Sequence, residues 1–187
     1  MNKKNIVIII LFLGLVSIYT NYLNIIPEDY YEKQIERLMN DVDDYSLKIN
    51  TRSYAKIDNL NILHFKRGER IGYAIFEEKL LFRPRVKTIE IDNKLVYSFF
   101  SESNKGKYFI FLGENPHNTI DYVKIFNDKK NFIVDVDNEG TFIHCLKVDT
   151  ENIYAKYYDK KNRNISNNLK ITGVPIKSIY ISNQTER

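Results

Sequence analysis

The side chains of this sequence able to do chemistry fall into a few short constellations, and each also has a plain structural reading. Asp135-Val136-Asp137-Asn138-Glu139-Gly140 sets oxygen ligands at the first, third and fifth positions and glycine at the sixth, as at the start of a Ca²⁺-binding loop. The twelfth position is Leu146 and not the bidentate carboxylate that closes such a loop, and Phe142 to Val148 reads as a strand. A strand end and hairpin turn is the expectation, since Asp, Asn and Gly are ordinary turn residues. His144-Cys145 invites a thiol nucleophile with its base. Neighbours on a strand point to opposite faces, however, so His144 groups with Phe142 and Leu146, Cys145 groups with Ile143 and Lys147, and a structural role is expected for both. His64 and His117 have no spacing that suggests a zinc site. Glu77-Glu78 is a carboxylate pair of the kind used in glycoside cleavage, but such pairs are too common to assign. G-x-S-x-G is absent, as are a P-loop and a dinucleotide fingerprint. No catalytic, cofactor-binding or metal residue is therefore assigned, and no cofactor is expected.

Three basic clusters remain: Lys66-Arg67-Arg70, Arg83-Arg85-Lys87 and Lys160-Lys161-Arg163. They suit anionic lipid headgroups or an anionic cell-wall polymer. Each also coincides with a turn or strand edge, where charge solvates the chain and guards against aggregation, and that is the preferred reading. The formal net charge is +4, and leaving out Lys3 and Lys4 gives 26 basic against 24 acidic residues. So even a balance argues against nucleic acid, which calls for a concentrated basic surface.

These residues must be positioned by elements of two kinds. Lys3-Lys4-Asn5 precedes the uncharged run Ile6 to Tyr19, and with the continuation to Ile26 it reaches the about 20 residues a membrane-spanning helix needs. A cleaved signal peptide shares this layout. Its peptidase needs small residues, and the positions paired with Gly14, Ser17 and Thr20 are Phe12, Leu15 and Ile18, so residues 1–26 are expected to be a cytoplasmic stub and an uncleaved anchor. Lys3 and Lys4 before the run, against Glu28 and Asp29 after it, place the N-terminus in the cytoplasm and the remainder outside. The single cysteine, Cys145, leaves that remainder without an internal disulfide.

Residues 27–44 read as an amphipathic helix. Pro27-Glu28-Asp29 suits a helix start, Tyr31, Ile35, Leu38, Met39 and Val42 form an apolar stripe, and Asp41, Asp43 and Asp44 mark its end. Residues 45–187 read as one extracytoplasmic antiparallel β domain. From about Leu60, apolar and aromatic runs alternate with turns such as Asp92-Asn93, Asn104-Lys105-Gly106 and Asn115-Pro116-His117-Asn118, the pattern of a β meander. The fold class is thus mainly β, with a transmembrane helix, a juxtamembrane helix and a curled sheet, barrel-like or sandwich. Pro84 lacks a ladder donor and puts its strand at an edge or break. Leu95 to Phe100 and Tyr108 to Leu112 are apolar at both parities and need cover on both faces; the amphipathic helix, together with curvature of the sheet, is the expected cover.

The anchor followed by "GYAIF", "YFIFLGENPHNTIDYVKIF" and "YYDKKNRNI" resembles small single-pass membrane-anchored proteins of low-GC Gram-positive bacteria. The resemblance implies no catalytic residues. The expected function is an extracytoplasmic binding or sensing protein without catalytic activity, with the membrane and an envelope protein or anionic cell-wall polymer as partners. The alternative is a cell-envelope hydrolase or transferase using dispersed carboxylates.

Overall fold

The computed structural model describes residues 3–24, 29–40, 47–79, 82–92, 94–127, 131–136, 140–150, 152–169 and 179–182. Helix α1 (Lys3–Asn24) carries its large apolar side chains outward, with Ile8 64% and Phe12 65% exposed. Among the described residues no helix is long and apolar enough to cross a membrane. Helix α2 (Tyr30–Asn40) uses the stripe read from the sequence: Ile35 and Met39 are buried, with Tyr31 and Leu38 packed beside them. Val42 and the aspartates at 41, 43 and 44 lie outside the described residues.

Eleven strands follow among the described residues. Sheet 1 is antiparallel, in the order β1 (Ile49–Ile57), β2 (Leu60–Arg67), β3 (Arg70–Lys79), β4 (Phe82–Asp92), β11 (Ile179–Ser182). Sheet 2 has the order β5 (Val96–Ser103), β6 (Gly106–Glu114), β9 (Thr141–Val148), and sheet 3 the order β10 (Ile153–Tyr158), β7 (Tyr122–Asn127), β8 (Asn131–Asp135). The sheets stack. Sheet 1 meets α2 through Leu63, Phe65, Ala74, Phe76 and Ile89. Its other face, with Leu60, Ile62, Ile71, Tyr73 and Ile75, meets Tyr97, Ile110 and Leu112 of sheet 2. The far face of sheet 2, with Phe109, Phe111 and Phe142, meets Val123, Ile125, Ile153 and Tyr157 of sheet 3. Each such side chain contributes about 1.5–3 kcal/mol by leaving water.

This stacking corrects three expectations. The chain is a meander only through β4, because β6 pairs with β9 and β7 with β10. A strand apolar on both faces belongs in the middle of the stack, whereas β7 buries Val123 and Ile125 and turns its alternate residues outward. The break is built at Asn115, buried in the turn around Pro116–Asn118. Its amide Nδ2 donates to the Ile120 carbonyl at 2.8 Å and its Oδ1 accepts from the Ile120 N–H at 2.7 Å. Second, the cover for Tyr108 to Leu112 comes from sheets 1 and 3, and α2 covers sheet 1 instead. The described strands form three open sheets and not one curled barrel. Third, β1 is a strand that reading from Leu60 onward leaves out. Its half-buried face is Thr51, Ser53, Ala55 and Ile57, too polar to signal alternation.

Pro84 sits where β4 lacks a second neighbour among the described residues, since β11 pairs only with Thr88 to Ile91. The sheet 1 to sheet 2 contact is held by polar ties. Asp58, in the β1–β2 turn, accepts from Ser103 Oγ at 2.7 Å and Tyr108 OH at 2.9 Å, and the Tyr97 hydroxyl donates to the Ile71 carbonyl at 2.7 Å. The Ser103 hydrogen bond, with those from Tyr108 and Lys105, holds the Asp58 carboxyl below its usual range.

Candidate functional site

The sequence-level candidates are dispersed by the fold. Asp135 ends β8, Val136 is buried in the core between sheets 2 and 3, Gly140 takes φ +86°, and Leu146 packs against that core from β9. Positions 137–139 lie outside the described residues, and no group of three potential metal ligands occurs among the described ones. His144 stacks on Phe111 at 5.0 Å, facing sheet 3, while Cys145 faces sheet 1. Burial pushes the Cys145 thiol up to about 12, so it is protonated near neutral pH and a poor nucleophile. His117 is exposed in the turn after β6. Glu78 pairs with Lys56 at 2.7 Å and Glu77 with Lys79 at 3.8 Å; burial raises the Glu78 pKa, but hydrogen bonds from Lys56 and Asn61 outweigh it and the net shift is downward.

One polar cavity lies between sheets 1 and 2. It measures ≈ 460 Å³ and is lined by Thr51, Arg52, Glu114, Pro116, Gly140 and Thr141. Arg52 Nε stands 3.6 Å from Glu114 Oε1, joining β1 to the end of β6. His64 is fully buried nearby, its Nδ1 3.4 Å from Ser53 Oγ and its Nε2 without a protein partner. Burial, and secondarily the Arg52 cation, lowers its pKa to about 4. The ring is neutral near pH 7 and has no proton to give as a general acid.

The basic clusters also divide. Arg67 is only 4% exposed, and its guanidinium donates to the Leu47 carbonyl at 3.2 Å and Asn40 Oδ1 at 2.9 Å. It ties α2 to the sheet and is withdrawn from any surface patch, which corrects the cluster read at residues 66–70. In the turn after β10, Arg163 is folded onto Asp159 at 2.6 Å. Arg83 and Arg85 lie beside α2 in a groove that also contains Arg37.

The outer face of sheet 3 was not singled out from the sequence. Strand β7 carries Tyr122-Val-Lys124-Ile-Phe126 and β10 carries Tyr154-Ala-Lys156-Tyr-Tyr158, two aromatic-x-Lys-x-aromatic segments. They pair antiparallel in register, with Tyr122 opposite Tyr158, Lys124 opposite Lys156 and Phe126 opposite Tyr154. The ring pairs stack at 5.0 Å and 4.9 Å, interplanar angles 6° and 8°. Both lysine ammoniums lie 5.2 Å from the Phe126 centroid. Ile133, 66% exposed, lies opposite Lys124 on β8. Like charges directly opposite each other destabilise a sheet, and cation–π contact offsets this only partly. The face is thus built to receive negative charge between two aromatic platforms. The repeated pattern was present in the sequence; that the two copies pair in register was not.

No protein-family model, curated protein or solved structure matches this chain.

Proposed function

We propose that the chain is a membrane-anchored binding module, with its N-terminus in the cytoplasm and its β body outside, that takes an anionic polymer on the outer face of sheet 3. The described part of α1 is not itself long and apolar enough to cross a bilayer. The anchor rests on the uncharged sequence from Asn5 to Pro27, which exceeds the about 20 residues required, and on the outward apolar side chains of α1. The observation that carries the binding role is the in-register Lys124–Lys156 pair between stacked aromatic pairs. Sheet 3 lies two sheet spacings, about 20 Å, beyond the sheet that α2 covers. This distance from the tether favours a polymer over the lipid surface as the occupant. A hydrolase built on carboxylates draws less support: among the described residues lining the ≈ 460 Å³ cavity, Glu114 is the one carboxylate, and Arg52 neutralises it.

The test is binding of a poly(glycerol phosphate) chain to the full-length protein in neutral-lipid nanodiscs, followed by calorimetry at two salt concentrations. Lys124→Gln with Lys156→Gln should weaken binding at least about tenfold, since each exposed cation contributes roughly 1 kcal/mol beside an anionic surface, and should flatten the salt dependence. Equal binding by the double variant would refute the assignment.

A further inference from the structure

We infer that the groove between α2 and the start of β4 is a second anion site, one that seats phosphate-bearing lipid headgroups and holds the β body against the membrane. The inference rests on the anchor part of the reading above and not on the sheet 3 face.

The groove, ≈ 380 Å³, brings Arg37 of α2 together with Arg83 and Arg85 of β4, beside Tyr30 and Phe82, and no carboxylate is among its described lining residues. The arginines are stacked on rings: Arg83 Cζ is 5.8 Å from the Tyr30 centroid and Arg85 Cζ 5.7 Å from that of Phe82. Such stacking orients a guanidinium while leaving its N–H edge for a phosphate oxygen. Tyr30 is itself fixed by donating its hydroxyl to the Pro84 carbonyl at 2.8 Å, so the two walls are joined. Phe82 is 59% exposed at the rim, an aromatic ring among cations, which is the composition that favours a membrane interface.

Chain length selects the source of phosphate. Helix α1 ends at Asn24 and Tyr30 already belongs to the groove. Six residues of any conformation span at most about 21 Å. With α1 in a bilayer, the groove stays within that distance of the helix end, where headgroups are at high effective concentration and anionic lipids attract basic residues. A soluble anion has no such advantage.

Full-length protein reconstituted in vesicles of phosphatidylcholine, with or without phosphatidylglycerol, tests this by amide hydrogen exchange. Peptides covering Phe82 to Val86 and the start of α2 should exchange more slowly in the anionic vesicles, by about fivefold per engaged arginine. Arg85→Gln alone, and Arg37→Gln with Arg83→Gln, should each reduce that difference, while peptides from sheet 3 stay unchanged and so report intact folding. Flotation of the same vesicles reads the anchor separately. Protein that floats with both compositions but shows no lipid-dependent protection overturns the groove inference and leaves the anchor standing. Protein that fails to float removes the anchor and the inference with it. Equal protection from millimolar inorganic phosphate in neutral vesicles would make this a free-anion site and overturn the lipid assignment.

Discussion

His64 is a residue whose burial has a measurable cost. It lies between sheets 1 and 2 with Nε2 unpartnered, and its pKa is lowered to about 4 from the ordinary 6.5, by burial first and by Arg52 second. A depressed value in the folded state means that the unfolded chain takes up the proton first. Stability is therefore fully present above pH 6.5 and is lost as the pH falls towards 4, by up to ~3 kcal/mol at 1.36 kcal/mol per pKa unit. Urea unfolding at pH 7.5 and pH 4.5 should show this loss, and His64→Leu should remove most of it. An unchanged pH dependence in the variant would assign the acid sensitivity elsewhere. At the same scale the sequence was right about His144 and Cys145. Period two alone places them on opposite faces, and they do lie in different cores.

At the scale of elements, α2 is held by its buried stripe and by carboxylates that cap backbone groups of β1. Glu36 Oε1 accepts the Ile49 N–H at 3.0 Å, and Glu32 Oε1 accepts that of Thr51 at 3.1 Å. Met39 is fully buried while Leu38 only packs at the side. Burying an unpaired carboxylate is costly, so Met39→Asp should destabilise more than Leu38→Asp, by ~3 kcal/mol or more against ~1–2, read from thermal unfolding of the full-length protein. The reverse order would mean that α2 is rotated on the sheet. Close approach constrains the strands as well. A Cβ on Gly72 would stand 2.5 Å from the Glu90 carbonyl oxygen and 2.8 Å from the Phe65 ring, which is why a glycine lies in the middle of β3.

For the whole molecule, a helix, three stacked sheets and an outward apolar α1 place two cation-bearing surfaces at different layers: Arg37, Arg83 and Arg85 near the tether, Lys124 and Lys156 at the far face. This division is useful only if the β body lies outside the cytoplasm. A reporter active solely outside the cytoplasm, fused after residue 60, should be active, and a cytoplasmic reporter at the same point should be silent. Activity of the cytoplasmic reporter would reverse the topology and remove cell-wall polymer as a partner.

The sequence alone determined what each segment must hide. The charge-free run before Glu28, the stripe of Tyr31, Ile35, Leu38 and Met39, and the two-sided apolar character of Tyr108 to Leu112 all follow from local periodicity, which reports the face a side chain takes. It does not report the neighbour. Only the tertiary structure decided that β6 pairs with β9, that α2 covers sheet 1, that Arg67 is buried, that Lys124 meets Lys156 and that Arg37 joins Arg83 and Arg85. Strand partners and registers are set by contacts between residues far apart in the chain, whose closure entropy is recovered only when the layers stack, and no spacing within one segment encodes that choice.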